Sequence, residues 1–275
     1  MARTDPVPAR DEPPPLFERK GVRYLATEAS ASPWGDGLLG GAMLAALLAH
    51  VSEEEAARLP ANGSAAPVRP ARLTVDLMRP APRAALTPGV SLVRSGRRLA
   101  AIDADLSSGG RLLARARSIW LRPSAEPPGT VAEPPERRLP GPDAFDPDPP
   151  RAGRLYPDPW ERRTVRPRGG ALPAAVWIRL ASPFAPGLPA SPFVRSAAAA
   201  DFANPQGNEG ESGLEFVNAD ISLTLHRLPR GEWMLAEAVA RGSERGLAVA
   251  SCSLADGSGR FGASSVASLA SPRGG

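Results

Sequence analysis

Arg72-Leu73-Thr74-Val75-Asp76-Leu77-Met78-Arg79 alternates aliphatic Leu73, Val75 and Leu77 with polar Arg72, Thr74 and Asp76. A period of two marks a strand with one face on a core and the other in water. A second run, Ile221-Ser222-Leu223-Thr224-Leu225-His226-Arg227, also ends on arginine and also enters a proline-containing turn, roughly 150 residues later. Two further pairs keep that order and spacing. Ala31-Ser32-Pro33 is echoed by Ala181-Ser182-Pro183, and Gly110-Arg111-Leu112-Leu113-Ala114 by Gly259-Arg260-Phe261-Gly262-Ala263. A shift that holds at three places points to two copies of one unit, with any active site between them or inside one.

Working outward, the first copy spans 20–122. Tyr24–Ser30 reads as a short strand and Trp34-Gly35-Asp36-Gly37 as a turn. Leu38–Val51 carries no charged residue and reads as a helix buried almost all round. Ser52-Glu53-Glu54-Glu55 has the form of a capping box that would start a second, short helix. Strands are predicted at Arg72–Arg79, Gly89–Arg94, Arg98–Ser107 and Arg111–Leu121, separated by Pro88-Gly89, Ser95-Gly96 and Gly109-Gly110.

The second copy, 169–275, repeats the plan: a strand at Val176–Ala181, then a helix. Ser191 supplies the N-cap and Pro192 the first helical position. Asn204-Pro205 is expected to stop that helix near Ala203, and 204–213 to form a mobile loop. Strands follow at Leu214–Arg227, Glu232–Arg241, Leu247–Asp256 and Arg260–Ala270. Between the copies, 123–168 holds thirteen prolines and reads as an extended linker. Residues 1–19 read as a flexible arm.

Composition excludes several classes. At 275 residues and 42% hydrophobic, the chain can bury a real core. The formal charge of +4 comes from basic residues interleaved with acids, and aromatics are sparse, which argues against nucleic acid. A lone Cys252 forbids an internal disulfide, and its apolar surroundings favour an inert thiol. Two histidines, His50 and His226, make a His-rich metal site implausible; no metal and no cofactor is expected. No apolar run is long enough to span a membrane. The N-terminal residues lack a signal-peptide core, so the expected location is cytoplasmic.

The unit of strand, helix and antiparallel meander, written twice, resembles an α+β tandem (double) hotdog fold, each half a long central helix wrapped by an antiparallel sheet. The chain also resembles the acyl-CoA thioesterase family related to bacterial thioesterase II. In the first copy the likeness rests on Gly40-Gly41, Met78-Arg79-Pro80 and Arg94-Ser95-Gly96-Arg97. In the second it rests on Ala200-Asp201-Phe202, Asn218-Ala219-Asp220, His226-Arg227 and Gly231-Glu232-Trp233.

That resemblance implies hydrolysis of acyl-CoA, or of an acyl carrier protein thioester, with no metal and no covalent nucleophile. It implies a cluster of an acid, a hydroxyl or amide residue, and a glutamine around one water. Asp201 matches the acid, and its place argues independently for chemistry. It is the sole acid of an Ala-rich helix, near the negative end of that helix dipole and open to desolvation, and both raise a carboxyl pKa. The competing reading makes it a helix-end residue bonded to the next loop. Asn218 matches the second position and could hold water or the thioester oxygen. Alternation groups it with Asp220, Ser222, Thr224 and His226 on one polar strand face, with Asp220 as a supporting acid of the substrate site. For the third position the alignment offers Val266 or Ala267 where glutamine is expected, with Ser265 or Ser268 as substitutes in another register. Gly40 and Gly41 open the first helix, where free amides can stabilise an oxyanion. The acyl chain would lie between helix and sheet. The departure at the glutamine position keeps two alternatives open: a thioester-binding protein with little hydrolysis, or a dehydratase or isomerase on a thioester-bound chain. Hotdog proteins pair, so a homodimer or larger homo-oligomer is expected.

Overall fold

The computed structural model describes residues 13–271, except 33, 36, 62–65, 133–137, 150–157 and 169–171. Residues 1–12 of the expected arm, Asp36 of the expected turn and parts of the expected linker therefore lie outside the described residues.

The first part of the chain runs β1 (Phe17–Lys20), β2 (Arg23–Ala26), α1 (Gly41–Ala56), β3 (Arg69–Leu77), β4 (Ala85–Ser95), β5 (Leu99–Ser108) and β6 (Arg111–Leu121). The later part begins with β7 (Trp160–Arg166), β8 (Ala175–Leu180), α2 (Pro192–Ala200) and α3 (Ala203–Asn208). It continues through a small hairpin, β9 (Glu209–Gly210) and β10 (Gly213–Leu214), then β11 (Phe216–Asn218) and β12 (Asp220–Leu225). It closes with β13 (Met234–Glu244), β14 (Leu247–Asp256) and β15 (Gly259–Ala270).

All strands but β9 and β10 join one large antiparallel sheet, in the order β1-β2-β4-β5-β6-β3-β12-β15-β14-β13-β8-β7, with β11 on β15. The order reads alike from both ends about the β3–β12 pair. There Thr74 sits opposite Ser222, with Val75 on Ile221 and Leu73 on Leu223. The hairpin pairs Ser108↔Arg111 and Asp256↔Gly259 differ by 148 in both positions, as do Leu77↔Ala114 and Leu225↔Gly262. In this register Gly110 corresponds to Ser258, one residue off the Gly110–Gly259 match read from sequence. Inward Leu73, Val75, Ile221 and Leu223 are buried, as alternation predicts.

α1 and α2 pack against each other on the inner face, antiparallel: Ala42 at one helix start meets Asp201 at the other helix end, and Ser191 Oγ donates to Glu53 at 2.6 Å. Trp120 of β6 meets Phe193 of α2 edge-on, with ring centroids 5.2 Å apart. One hydrophobic cluster thus runs through both ends of the chain.

Four local expectations are corrected. Leu16 and Phe17, assigned to the arm, are fully buried and hydrogen-bond to Pro183 and Phe184. β7, assigned to the linker, is an edge strand on β8; its seven residues are proline-free, so its ladder donors are intact. Ser52 caps nothing, because α1 runs unbroken through it and its hydroxyl donates to the Leu48 carbonyl. Asn204-Pro205 starts rather than stops a helix: Pro205 falls in the first turn of α3, where its missing N–H is not needed. The second helix is therefore broken at Asp201–Phe202 into segments of nine and six residues, against sixteen in α1. Among the described residues no helix is long and apolar enough to cross a membrane.

Candidate active site

Asp201 is the C-cap of α2, at the break between α2 and α3. Oδ2 accepts from the Ala42 N–H at the start of α1 (3.0 Å), and Oδ1 from Asn218 Nδ2 (2.9 Å). Asp201 stands at the C-terminal end of α2, as the sequence suggested, and its carboxylate also faces the positive end of α1. Its pKa is still raised from 3.8 to about 6, chiefly because burial disfavours the charge; the bonds from Asn218 and Ala42 oppose this. Asp201 as a residue is part-buried, and protein crowds its carboxyl.

Asn218 is buried, and a bulge puts it there. Asn218 pairs with Ser268 on β15, but Ser222 pairs with Ser265, so residues 219–221 oppose only 266–267. One extra residue flips the faces. Asn218 points inward, while Asp220 points to the other face of the sheet, where its carboxylate accepts from Ala267 N–H (2.5 Å) and Ser222 Oγ (3.4 Å). The expected shared polar face of Asn218 and Asp220 does not form. Asp220 reaches the site only through its carbonyl, which accepts from Asn218 Nδ2 at 3.3 Å.

The same flip bears on the third position. Ala267 is exposed and faces away, Val266 is buried in the core, and Ser268 is buried on the side of Asn218. Ser268 Oγ donates to Asn204 Oδ1 (3.2 Å), which also accepts from Asn208 Nδ2 (3.0 Å). Asn204 Nδ2 in turn donates to the Phe216 carbonyl (2.9 Å) and, at 3.4 Å, to Asn218 Oδ1. Sequence reading treated 204–208 as loop and missed this relay. The i, i+4 spacing of Asn204 and Asn208 was its available signal.

Gly40 caps α1, and Gly41 is its first residue. A Cβ on Gly41 would lie 3.0 Å from Asp201 Oδ1 and 3.3 Å from Leu77 Cδ1, so glycine is what lets the two chain segments close up. The Gly41 N–H has no hydrogen-bond partner among the described residues. The site is therefore composite: helix-start amides from one part of the chain, acid and amide from the other.

His50 stands ten residues after the cap Gly40, as Asp201 stands ten after the cap Ser191. It sits inside α1, stacked 4.1 Å from Phe184, under the chain that Leu16 and Phe17 lay across Pro183 and Phe184. The position equivalent to Asp201 is thus plugged by aromatic packing. Cys252 is buried, and its thiol is pushed up to about 12, again by burial. His226 is exposed. No group of three metal-ligating side chains occurs among the described residues.

The acyl-CoA thioesterase N-terminal domain profile matches residues 30–121, and the C-terminal domain profile matches 132–269. No curated protein matches. Among solved structures, a candidate thioesterase from Novosphingobium aromaticivorans superposes with a TM-score of 0.71 at 22% identity, covering 94% of this chain and 99% of its own. A hot dog fold protein of unknown function from Alicyclobacillus acidocaldarius gives 0.69 at 14%, covering 93% and 96%. An acyl-CoA thioesterase II from Mycobacterium marinum gives 0.63 at 16%, covering 94% and 97%. At such identities these structures establish the hotdog fold alone.

Proposed function

The chain belongs to the acyl-CoA thioesterase family, and from that premise we propose that it hydrolyses acyl-CoA to free acid and CoA with a water activated by Asp201. The observation that carries this reading is the Asp201 carboxyl: raised to about 6 and held by the Ala42 N–H and Asn218. A carboxylate of that basicity is ionised at neutral pH yet can hold a proton transiently. The water oxygen attacks the thioester carbonyl carbon as Asp201 takes its proton. The Gly41 N–H, at the positive end of α1, stabilises the oxyanion. The C–S bond then breaks, and the proton held by Asp201 passes to the leaving thiolate.

Asn218 keeps Asp201 oriented, and the Asn204–Asn208–Ser268 relay keeps Asn218 oriented. Ser268, one of the serines offered in place of the family glutamine, belongs to this relay, and on this reading the relay supports turnover without that glutamine. We read the molecule as two hotdog halves, which widen the expected 20–122 and 169–275 to take in the edge strands β1 and β7. The symmetric strand order and the 148-residue register shift support that reading. One half contributes the oxyanion amides and the other the acid.

The test is thiol release from acyl-CoAs of increasing chain length, comparing wild type with Asp201→Asn. Release by wild type and its loss in the variant are expected. If wild type binds acyl-CoA without releasing thiol, the chain is a thioester-binding protein and the hydrolytic reading fails.

A further inference from the structure

The two ends of the sheet share a strand order but not an outward face. On β5, β6 and β3 that face is charged. Arg117 holds Asp103 through two bonds of 2.6 Å, and Arg115 holds Asp76 at 2.7 Å, with Asp105 opposite Arg115 on the other side. The paired side chains stand in water. Interleaved charges of this kind keep an exposed sheet face soluble and solitary.

The 148-residue register carries that face onto β14, β15 and β12. There Ser251 and Ser265 correspond to Asp103 and Arg117, Ser253 and Ala263 to Asp105 and Arg115, and Thr224 to Asp76. At matched positions, three acids and two arginines give way to uncharged residues. The next two rows pair Val249 with Ala267 and Leu247 with Leu269. Leu247 is 67% exposed, Val249 57% and Leu269 49%. Both strands lie inside the sheet, paired on either side, so a partner must pack on their face and cannot add a strand. Elsewhere the chain covers its own outward face. Leu139 and Phe145 pack over Ala175, Trp177 and Leu235 of β8 and β13 and bury them, and Trp177 Nε1 donates to the Pro140 carbonyl at 2.9 Å.

The chemistry selects a second copy of this chain as the cover. An acidic carrier protein or an anionic lipid surface calls for lysine or arginine, and these rows of β14 and β15 hold neither. Two identical uncharged faces meet without like-charge conflict, and their serine and threonine hydroxyls can each donate and accept across the junction. Small side chains let two sheets approach to about 10 Å. The face of β12 to β15 spans roughly 33 Å by 19 Å at ordinary strand spacings. Two copies would therefore bury on the order of 1,200 Å², within the range of specific interfaces.

We propose that the outward face of β14 and β15 is the interface of a two-fold homodimer, sheet packed on sheet. The inference is independent of the hydrolytic reading: a chain that dimerises without releasing thiol refutes only the latter.

The test grafts the charged face onto the uncharged one. Ser251→Asp with Ser265→Arg recreates the cross-strand pair that Asp103 and Arg117 already form, so the fold has a precedent for it. Sedimentation equilibrium of the full chain at about 10 μM should give twice 28.7 kDa for wild type. The grafted variant should sediment as a folded monomer, with dimer dissociation constant raised at least ~100-fold and a cooperative melt retained. Should the graft fail to fold, Leu247→Ser with Leu269→Ser reads the same face from exposed positions and should weaken the dimer at least ~10-fold. Asp103→Ser with Arg117→Ser, on the other half, should leave the dimer intact. The proposal is overturned if wild type is monomeric at about 100 μM. It is equally overturned if the folded graft and the double serine variant both dimerise like wild type, or if the Asp103 and Arg117 variant alone dissociates.

Discussion

Asp201→Asn should raise pH-dependent stability questions and activity questions with one substitution. In the folded chain the Asp201 carboxyl is raised from 3.8 to about 6, so folding favours its protonated form. Its stabilising contribution is complete below pH 3.8 and is lost as pH rises through 6; above that, the buried charge costs about 3 kcal/mol. At pH 7.5 nearly the whole cost is present, and at pH 5 roughly half of it. Asparagine carries no charge but must turn an NH₂ toward either the Ala42 N–H or the Asn218 amide. Asn218 cannot readily flip, because its own oxygen accepts from Asn204. That mismatch costs about 1–3 kcal/mol at every pH. The two terms nearly offset at pH 7.5, so the diagnostic is the trend. The stability of the variant relative to wild type should fall by about 1–2 kcal/mol on going from pH 7.5 to pH 5. Urea unfolding of both proteins at the two pH values measures this, and thiol release at pH 7.5 should drop at least ~100-fold. A stability difference that does not change with pH would refute the raised pKa. Undiminished thiol release would refute the catalytic role.

In wild type, kcat/KM should rise with pH through about 6 and level off above it, because the base form of Asp201 does the work; a profile flat from pH 5 to 8 would contradict this. Gly41→Ala brings a methyl to 3.0 Å from Asp201 Oδ1, so activity should fall at least ~10-fold while unfolding changes by no more than about 1 kcal/mol. Asn218→Ala removes the donor to Asp201, while Asn204 keeps its bond to the Phe216 carbonyl; a loss of about 1–3 kcal/mol and of most activity is expected by denaturation and thiol release. Gly207→Ala sets a new Cβ 2.4 Å from Ala250 Cβ, where α3 lies on β14, and should destabilise the fold by about 1–3 kcal/mol in denaturant melts.

Much of the fold was legible because hydrophobic pattern and turn chemistry agreed. β6 and β14 occupy the spans Arg111–Leu121 and Leu247–Asp256 expected from sequence. Uncharged Leu38–Val51 announced a buried helix, and α1 is buried along most of its length. Misreadings fell where a local rule had two outcomes. A proline after asparagine can end a helix or sit in the first turn of the next, and α3 is the second case. Asp201 and Asn218 were legible as residues, but the environment of Asp201 was not, since Ala42 lies 159 positions away in the chain.

Sequence by itself determined the repeated order of elements, the inward faces of β3 and β12, and which side chains could carry acid and amide chemistry. These follow from short-range periodicity and residue type, which do not depend on distant contacts. Tertiary structure decided which of them meet. A single extra residue at 219–221 turned Asn218 toward Asp201 and Asp220 away, and no composition or alternation rule encodes a register slip. The antiparallel packing of α1 on α2 brought a helix start to a helix end and made one composite site. The opposite junction was closed by Leu16, Phe17 and Phe184 around His50, because burying that aromatic surface favours packing over an open cleft.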